Sequence, residues 1–333
     1  VVRPGMTANI SIPVASAENV VAAPLAAVFT ETNPETRQIE RHVFVKTGDD
    51  ASPATVRFDE SSKGSIMEGV TVQAATLAKA TTAVAVGPKA SVELTDVRFV
   101  LGSGEGEGAT GTGLEVIEAS VAVRRSHFRG MKGRNTKGTG ATLAKLSSPL
   151  KSLIADSTFD PGSVSGTEGA THLTVSSALP ARGAQVEVAN NSFVSGSPSL
   201  TAGENPLLHG MSFTGTGVDV HAHDNKIVFT GVSCPGGCVL TGASSAAGAN
   251  VVFERNLVQI GNVDSQGLVQ IRGLSIMLGG IRAENNVFLN PTTVALGSTL
   301  KTFGLNADAG SSCATDTHMC ADGPPVMLRH NTV

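Results

Sequence analysis

Residues 186–193, Val186-Glu187-Val188-Ala189-Asn190-Asn191-Ser192-Phe193, carry a pattern that recurs along most of the chain. Aligned on the last position, eight copies of it end at Phe99, Phe128, Phe159, Phe193, Ile227, Val258, Phe288 and Val333. The steps between these ends are 29, 31, 34, 34, 31, 30 and 45 residues. A recurrence of this length is typical of a solenoid, in which each repeat buries its apolar face only against its neighbours.

Within each copy the apolar residues are two positions apart, as at Val186 and Val188, which is the spacing of one face of a strand. Further short apolar runs between the copies, such as 143–146 and 172–175, indicate about three short strands per repeat. Helical periodicity and leucine-rich repeat spacing are both missing. The sequence therefore predicts an all-β chain folded as a right-handed parallel β-helix.

The position two before the end of each copy forms a column that holds Val97 in the first copy and polar residues, beginning with Ser126 and Ser157, in the others. In the last five copies this position holds Asn191, Asn225, Asn256, Asn286 and Asn331. Stacked asparagines can form hydrogen bonds from amide to amide along the rod. We expect these asparagines to adopt left-handed backbone angles, because the chain turns a corner there. In this ladder the chain resembles the pectin-lyase-like β-helix proteins.

Residues 1–50 do not show the repeat. Three short motifs in this segment lie at 3–12, 19–28 and 42–48. They resemble the β-barrel end of periplasmic adaptor (membrane fusion) proteins, which implies a β-rich N-terminal segment that is either a barrel fragment or a cap. We interpret residues 51–90 as a transition that can include the first coils. Residues 86–333 are interpreted as the β-helix, truncated at its C-terminus.

Composition favours a turn-dense β protein, since the 333 residues include 38 Gly and neither Trp nor Tyr. The formal net charge of −4 indicates no particular partner. No run of 18 apolar residues occurs, so no membrane span is predicted within this segment. No P-loop, dinucleotide fingerprint or G-x-S-x-G elbow is present. We therefore predict no cofactor and no nucleotide or serine-nucleophile chemistry.

The four cysteines form two close pairs, Cys234 with Cys238 and Cys313 with Cys320. Local disulfides in an oxidising compartment are the expected interpretation. A zinc site would require the two pairs to meet, although they are nearly three repeats apart. Reduced thiols without a role are the third alternative. Disulfides would place the protein outside the cell or at its surface.

The stretch 119–155 contains no acidic residue but eight of the chain's 24 basic ones. Its candidate ligand-binding residues are Arg124, Arg125, Arg129, Lys132, Arg134 and Lys137. On adjacent coils they would form a positive patch for an acidic glycan, or for nucleic acid through phosphate contacts alone. Apart from Phe128, the last residue of its copy, no Phe, Tyr or Trp is interleaved to stack bases, so no specific nucleic acid is predicted. The alternative is a solvated charged loop.

Asp219, His221 and His223 alternate with apolar residues, which places all three on one outward strand face. His-x-His on a strand can bind zinc or copper. Glu187 and Glu254 occupy the matching positions on the neighbouring coils, close enough to pair with the imidazoles. The sequence thus offers a candidate metal site, with an exposed polar face as the alternative.

Opposite charges alternate three positions before the end of the copies, as in Asp96 and Arg125, or Asp224 and Arg255. We expect these residues to form ion pairs one coil apart. Polysaccharide lyases and hydrolases on a β-helix use similar residues with calcium or paired carboxylates. We expect neither three carboxylates nor two with an arginine to converge in a groove. No catalytic residue is therefore predicted.

The repeat style and the cysteine-bearing loops are similar to those of the very large surface proteins of the trypanosome dispersed gene family, although the lack of Trp and Tyr departs from them. This resemblance implies a secreted or surface-displayed rod. We expect a non-catalytic structural or adhesion module that contacts acidic glycans or a host surface protein. The alternative is a β-helix lyase or hydrolase that acts on acidic polysaccharide.

Overall fold

The described residues contain strands and turns and no helix. The computed structural model describes residues 28–32, 39–43, 56–73, 81–101, 111–130, 132–134, 140–165, 169–177, 184–196, 207–277, 280–289, 299–308 and 326–333. Across these ranges the chain is all-β, as predicted, and no helix there could cross a membrane.

The strands of these ranges are short, with three to ten residues each. In chain order they are β1 Val28–Thr32, β2 Ile39–Val43, β3 Val56–Phe58, β4 Lys63–Glu68, β5 Val70–Gln73, β6 Thr81–Val86, β7 Ser91–Thr95, β8 Arg98–Val100, β9 Gly111–Ile117, β10 Ser120–Arg124, β11 His127–Arg129, β12 Lys132–Arg134, β13 Gly140–Ser147, β14 Ser152–Ala155, β15 Thr158–Asp160, β16 Ser163–Ser165, β17 Gly169–Ser176, β18 Ala184–Ala189, β19 Ser192–Val194, β20 Leu207–Thr214, β21 Val218–His223, β22 Lys226–Ser233, β23 Gly237–Ala246, β24 Asn250–Glu254, β25 Leu257–Asp264, β26 Leu268–Met277, β27 Gly280–Glu284, β28 Val287–Leu289, β29 Thr299–Asp308 and β30 Val326–Arg329.

Three long parallel sheets form the walls of the solenoid. Sheet I contains β4, β7, β10, β14, β18, β21, β24, β27 and β30; sheet II contains β5, β8, β11, β15, β19, β22, β25 and β28; sheet III contains β3, β6, β9, β13, β17, β20, β23, β26 and β29. The chain visits sheets III, I and II in turn, and each strand pairs with its equivalent in the next coil. At one end of sheet II, β2 pairs with β5 and forms an antiparallel hairpin with β1. Strands β12 and β16 form a small additional pair. The chain is therefore a parallel β-solenoid.

The core is built from columns of like residues, as a stacked repeat requires. Phe99, Phe128, Phe159 and Phe193 are fully buried and lie in register on sheet II. Their rings stack with centroid separations of 4.3 to 4.8 Å. Burying each such ring contributes roughly 2–3 kcal/mol relative to exposure. The last residues of successive copies thus form one continuous apolar column.

The asparagine column forms a hydrogen-bonded ladder at the corner between sheets I and II. Each amide Nδ2 donates to the Oδ1 of the next coil, in the order Asn191, Asn225, Asn256, Asn286 and Asn331, over 2.9 to 3.1 Å. The backbone N–H of each of the first four donates to the same oxygen. Ser157 and Ser126 extend the ladder towards the N-terminus with their hydroxyl groups.

The left-handed residue is the one before the ladder, so the expected left-handed asparagines were misplaced by one position. The φ angles lie between 46° and 55° at Asp96, Arg125, Asp156, Asn190, Asp224, Arg255, Asn285 and His330. The chain turns from sheet I to sheet II at these residues, whose side chains are exposed, whereas the side chain of the ladder residue that follows is buried. Asp and Asn tolerate this region better than most residues, and Arg and His also occupy it here.

The solenoid begins earlier than the eight sequence copies indicate. Strands β3, β4 and β5 form a coil in register with the next one, and Val72 pairs with Phe99. Its corner residue is Gly69, with φ of 62°, and the ladder position holds Val70. Because neither residue matches the polar pattern of the later corners, the sequence comparison misses this copy.

Candidate functional site

An open groove of about 930 Å³ runs along the outer face of sheet I. Its lining extends from Gly64 near one end to Arg282 near the other. Small or apolar side chains such as Ser120, Ala122 and Leu153 form its floor. The groove crosses eight strands, and seven steps of roughly 4.8 Å give a length of about 34 Å. An extended polymer of several units could lie along it.

Two cations in the groove have no partner among the described side chains. Arg124 ends β10 and is partly buried, while Lys151 is exposed directly before β14. Neither side chain forms an ion pair or a hydrogen bond within the ranges that the structure describes. Because a partly buried guanidinium without a partner is unfavourable, Arg124 would gain from an anionic ligand.

The other charged groups that line the groove are already engaged. The pairs are Glu93 with Thr95 (3.3 Å), Glu187 with His223 (3.4 Å), Asp219 with Asn250 (2.8 Å), Glu254 with His221 (2.6 Å) and Arg282 with Glu284 (3.0 Å). Each carboxylate therefore accepts a hydrogen bond, whereas the side chains of Arg124 and Lys151 have donors that no described group accepts.

A network of charged groups lies at one end of the groove, across β18, β21 and β24. Arg255 donates from Nη2 to Asp224 Oδ2 at 2.8 Å and from Nη1 to Glu254 Oε2 at 2.9 Å. His223 Nδ1 lies 2.7 Å from Asp224 Oδ2. The hydrogen bonds from Arg255 and then His223 lower the pKa of Asp224 to about 2. Asp224 is therefore ionised at neutral pH and cannot donate a proton.

Asp224, Glu254 and Arg255 meet in this network, but of the three only Glu254 lines the groove, so the expectation about a groove stays a prediction. Asp224 and Arg255 occupy the corners of consecutive coils, and Glu254 directly precedes Arg255. The expected pairing of opposite charges one coil apart is present here and between Asp96 and Arg125, at 2.9 Å.

The structure does not assemble Asp219, His221 and His223 as a ligand set. Asp219 accepts a hydrogen bond from Asn250. The two imidazole rings lie 4.4 Å apart, and their nitrogens contact carboxylates, among them the expected Glu187 and Glu254. Within the described ranges, no three His, Cys, Asp or Glu side chains are placed to hold a metal ion.

The three candidate basic residues with described side chains, Arg124, Arg125 and Arg129, do not form one patch, because a corner separates them. Arg124 belongs to sheet I, Arg125 is a corner residue paired with Asp96, and Arg129 belongs to sheet II. For Lys132 and Arg134 only the backbone in β12 is described, and Lys137 lies outside the described residues. The predicted positive surface is thus distributed over different faces.

One of the two predicted disulfides can be located. Cys234 and Cys238 are both buried and form a disulfide between β22 and β23. Cys313 and Cys320 lie outside the described residues, as do most of the N-terminal motifs.

Comparisons of the chain with protein-family models, with curated proteins and with solved structures find no match. The parallel β-solenoid follows from the geometry of the chain itself. The resemblances to pectin-lyase-like, trypanosome surface and adaptor proteins stay predictions.

Proposed function

We propose that this protein is a non-catalytic β-solenoid, displayed outside the cell or at its surface, that binds an extended acidic glycan along sheet I. The observation that supports this most directly is the difference between the acidic and the basic side chains of the groove. Its carboxylates accept hydrogen bonds, whereas the side chains of Arg124 and Lys151 have no partner within the described part of the chain. A polyanion would supply the missing counter-charges.

The two cations lie on opposite sides of the groove floor. Arg124 pairs in register with Ala155, four residues after Lys151 on the neighbouring coil. Four residues of strand separate backbone positions by about 13 Å. A sugar chain lying along the rod axis between them could present acidic groups to both sides. Arg124 can bind a carboxylate or sulfate through two parallel N–H donors.

The Cys234–Cys238 disulfide supports the proposed location. Disulfides persist in oxidising compartments and are rare in the cytosol. The rigid stacking of the coils also suits a structural or adhesive role.

The test is calorimetric titration with a panel of polyuronate and sulfated oligosaccharides. We expect the double variant Arg124→Gln/Lys151→Gln to bind at least about tenfold more weakly, which corresponds to ~1.4 kcal/mol, with a smaller salt dependence. Lys145→Gln is the control, because Lys145 pairs with Glu115 on sheet III at 3.1 Å. The absence of binding to the whole panel, or equal binding by the double variant, would contradict the proposal.

The second candidate function is an enzyme that acts on acidic polysaccharide, and the convergence of Asp224, Glu254 and Arg255 beside two imidazoles favours it. Against it, Arg255 binds both carboxylates, which leaves neither free as a nucleophile. Release of reducing or unsaturated sugar ends from polyuronates, lost in Glu254→Gln, would establish this second function.

A further inference from the structure

Three buried side-chain atoms have no hydrogen-bond partner in the part of the chain that the structure describes, and all three belong to sheet III. They are Nε2 of His209 on β20, and Nε of Arg272 and Oγ of Ser275 on β26. Buried polar groups are nearly always hydrogen-bonded, because an unpaired one has lost its hydration without compensation. Two strands of one sheet that carry all these atoms are therefore a place where a polar ligand would be stabilised.

His209 and Arg272 belong to one column of side chains, with Thr241 between them in register. Each of the three follows a core residue, so the alternation along a strand places the column on the outer face of sheet III. His209 is 8% exposed and Thr241 is 2% exposed, whereas Arg272 is only partly buried and leaves the column open to solvent on its side. Two steps of roughly 4.8 Å separate the backbones of His209 and Arg272 by about 10 Å. Because Thr241 is short, a small group beside it can reach both longer side chains.

No described carboxylate balances the charge of this column. Arg272 donates from Nη2 to Oε1 of Gln270 at 2.8 Å, and this amide is neutral. Within the described ranges Arg272 forms no ion pair. Burial lowers the pKa of His209 to about 4, and His172 on β17 and then Arg272 act in the same direction, with no carboxylate among these groups. A negative group between His209 and Arg272 would favour the charged form of both.

We propose that His209 and Arg272 form a binding site for a small carboxylate anion on the outer face of sheet III. One carboxylate oxygen accepts a hydrogen bond from Nε of Arg272, and the other accepts one from Nε2 of His209. Hydrogen bonds between charged partners are the strong ones, and two donors on opposite sides match the two oxygens of a carboxylate. The site lies on a different sheet from the groove and does not depend on the function proposed for that groove.

Binding of the anion is coupled to a proton on His209. A hydrogen bond with the backbone of Met211 raises the pKa of His209, as a carbonyl that accepts a ring hydrogen does. Because Nε2 has no partner, that hydrogen belongs to Nδ1. Nε2 therefore carries a hydrogen only in the imidazolium, so the carboxylate binds together with a proton and binds more tightly as the pH falls.

The test is an NMR titration of the full chain with sodium formate at pH 7 and at pH 5, with sodium chloride added to keep the ionic strength constant. The Cε1–H signal of His209, identified by its loss in His209→Thr, reports binding. We expect the half-saturating formate concentration to be at least about tenfold lower at pH 5, because the proton and the anion favour each other's binding. A His209 signal that formate does not move at pH 5, or equal half-saturation at the two pH values, would overturn the proposal.

Variants of Arg272 test its part in the site. Arg272→Gln should weaken formate binding at pH 5 by at least about tenfold, since a charged hydrogen bond is lost. Arg272→Lys keeps the charge but has no Nε–H, and its binding should lie between that of Arg272→Gln and the wild type. Lys145→Gln is the control, because Lys145 belongs to the same sheet and is paired with Glu115 at 3.1 Å. Unchanged formate binding in both Arg272 variants would contradict the site.

Further titrations at pH 5 identify the source of the carboxylate. A monomeric uronate, a short oligouronate and an uncharged sugar of the same size are compared with formate. Binding of formate alone identifies a site for a free small acid. Binding of the uronates as well, without binding of the uncharged sugar, identifies the carboxylate of an acidic sugar. Binding of the uncharged sugar as tightly as the uronates would contradict recognition of a carboxylate.

Discussion

Each corner between sheets I and II depends on two consecutive residues with different tasks. At Asn190 the backbone is left-handed and the side chain is exposed, whereas the amide of Asn191 is buried and bonded to the next coil. The recurrence of asparagine made the ladder predictable from sequence. The left-handed position could not be predicted in the same way. Asp, Arg, Asn and His all occur there, so no single residue type identifies it.

Removal of one ladder amide should be costly. In Asn225→Ala, the backbone N–H and Nδ2 of Asn191 lose their acceptor, and the carbonyl of Val188 loses a donor at 2.8 Å. We expect the free energy of unfolding to fall by about 3 kcal/mol, since buried unsatisfied polar groups are expensive. In Asn225→Ser the free energy of unfolding should fall less, because Ser126 and Ser157 fill the same position with a hydroxyl group in other coils. Denaturant unfolding measures both, and equal losses would contradict the ladder's role.

The left-handed corner predicts that a β-branched residue destabilises the protein at Asn190 but not at a strand position. Asn190→Val places a β-branched residue at φ of 55° and should destabilise the protein by about 1–2 kcal/mol. Gln185→Val, at an exposed position of the preceding strand β18, should be neutral or slightly stabilising, because strands favour valine. Thermal unfolding of the two variants makes the comparison. A stable Asn190→Val would show that the corner is not left-handed.

At the level of elements, β20 and β23 of sheet III each have a glycine at a bend within the strand. The pairing registers of β20 and β23 skip Gly210 and Gly242. A Cβ atom at Gly210 would clash with the carbonyl oxygen of Gly242. The apolar runs predicted these strands, but the bend was not predictable, because it arises from contact between coils that are about 30 residues apart.

Gly242→Ala tests this close approach. Its Cβ would lie 2.5 Å from both the carbonyl oxygen of Gly273 and Cγ1 of Val258, so the backbone must shift. We expect a loss of about 1–3 kcal/mol in unfolding free energy, the usual range for overpacking. Ser244→Ala on the same strand is the control and should change stability little. A Gly242→Ala variant as stable as the wild type would contradict the bend.

Sheet III also makes stability depend on pH. His209 is buried, and burial, aided by the nearby His172, lowers its pKa to about 4. The unfolded chain, with an ordinary histidine pKa near 6.5, therefore binds more protons between these values, and stability falls as the pH falls from about 6.5 towards 4. The full difference corresponds to about 3 kcal/mol.

The variant His209→Thr isolates this effect, since Thr171 and Thr241 occupy the same column in the coils on either side. We expect the fall in the denaturant midpoint between pH 6.5 and 4.5 to become smaller. A remaining slope should come from the buried His172 and the partly buried His127, because burial lowers the pKa of both. An unchanged slope would show that His209 does not titrate as the structure requires.

At the level of the whole molecule, the position of the corners decides which side chains meet. Arg124 and Arg129 are five residues apart and lie on different sheets, whereas Arg98 and His127, 29 residues apart, are neighbours. The repeat period predicted the solenoid correctly. The surfaces were predicted less well. An error of one residue in the predicted position of a corner places a side chain on the wrong face.

The central claim is that the coils stack in register, which creates the groove of sheet I. Spin labels at Ser91→Cys and Asn250→Cys test it directly by pulsed electron resonance, with Cys313 and Cys320 replaced by serine. Both positions are exposed in one column of sheet I, and five steps of roughly 4.8 Å separate them by about 24 Å. The stacked solenoid predicts a narrow distribution near this distance. A broad distribution centred well beyond it would contradict the stacking and both proposed sites.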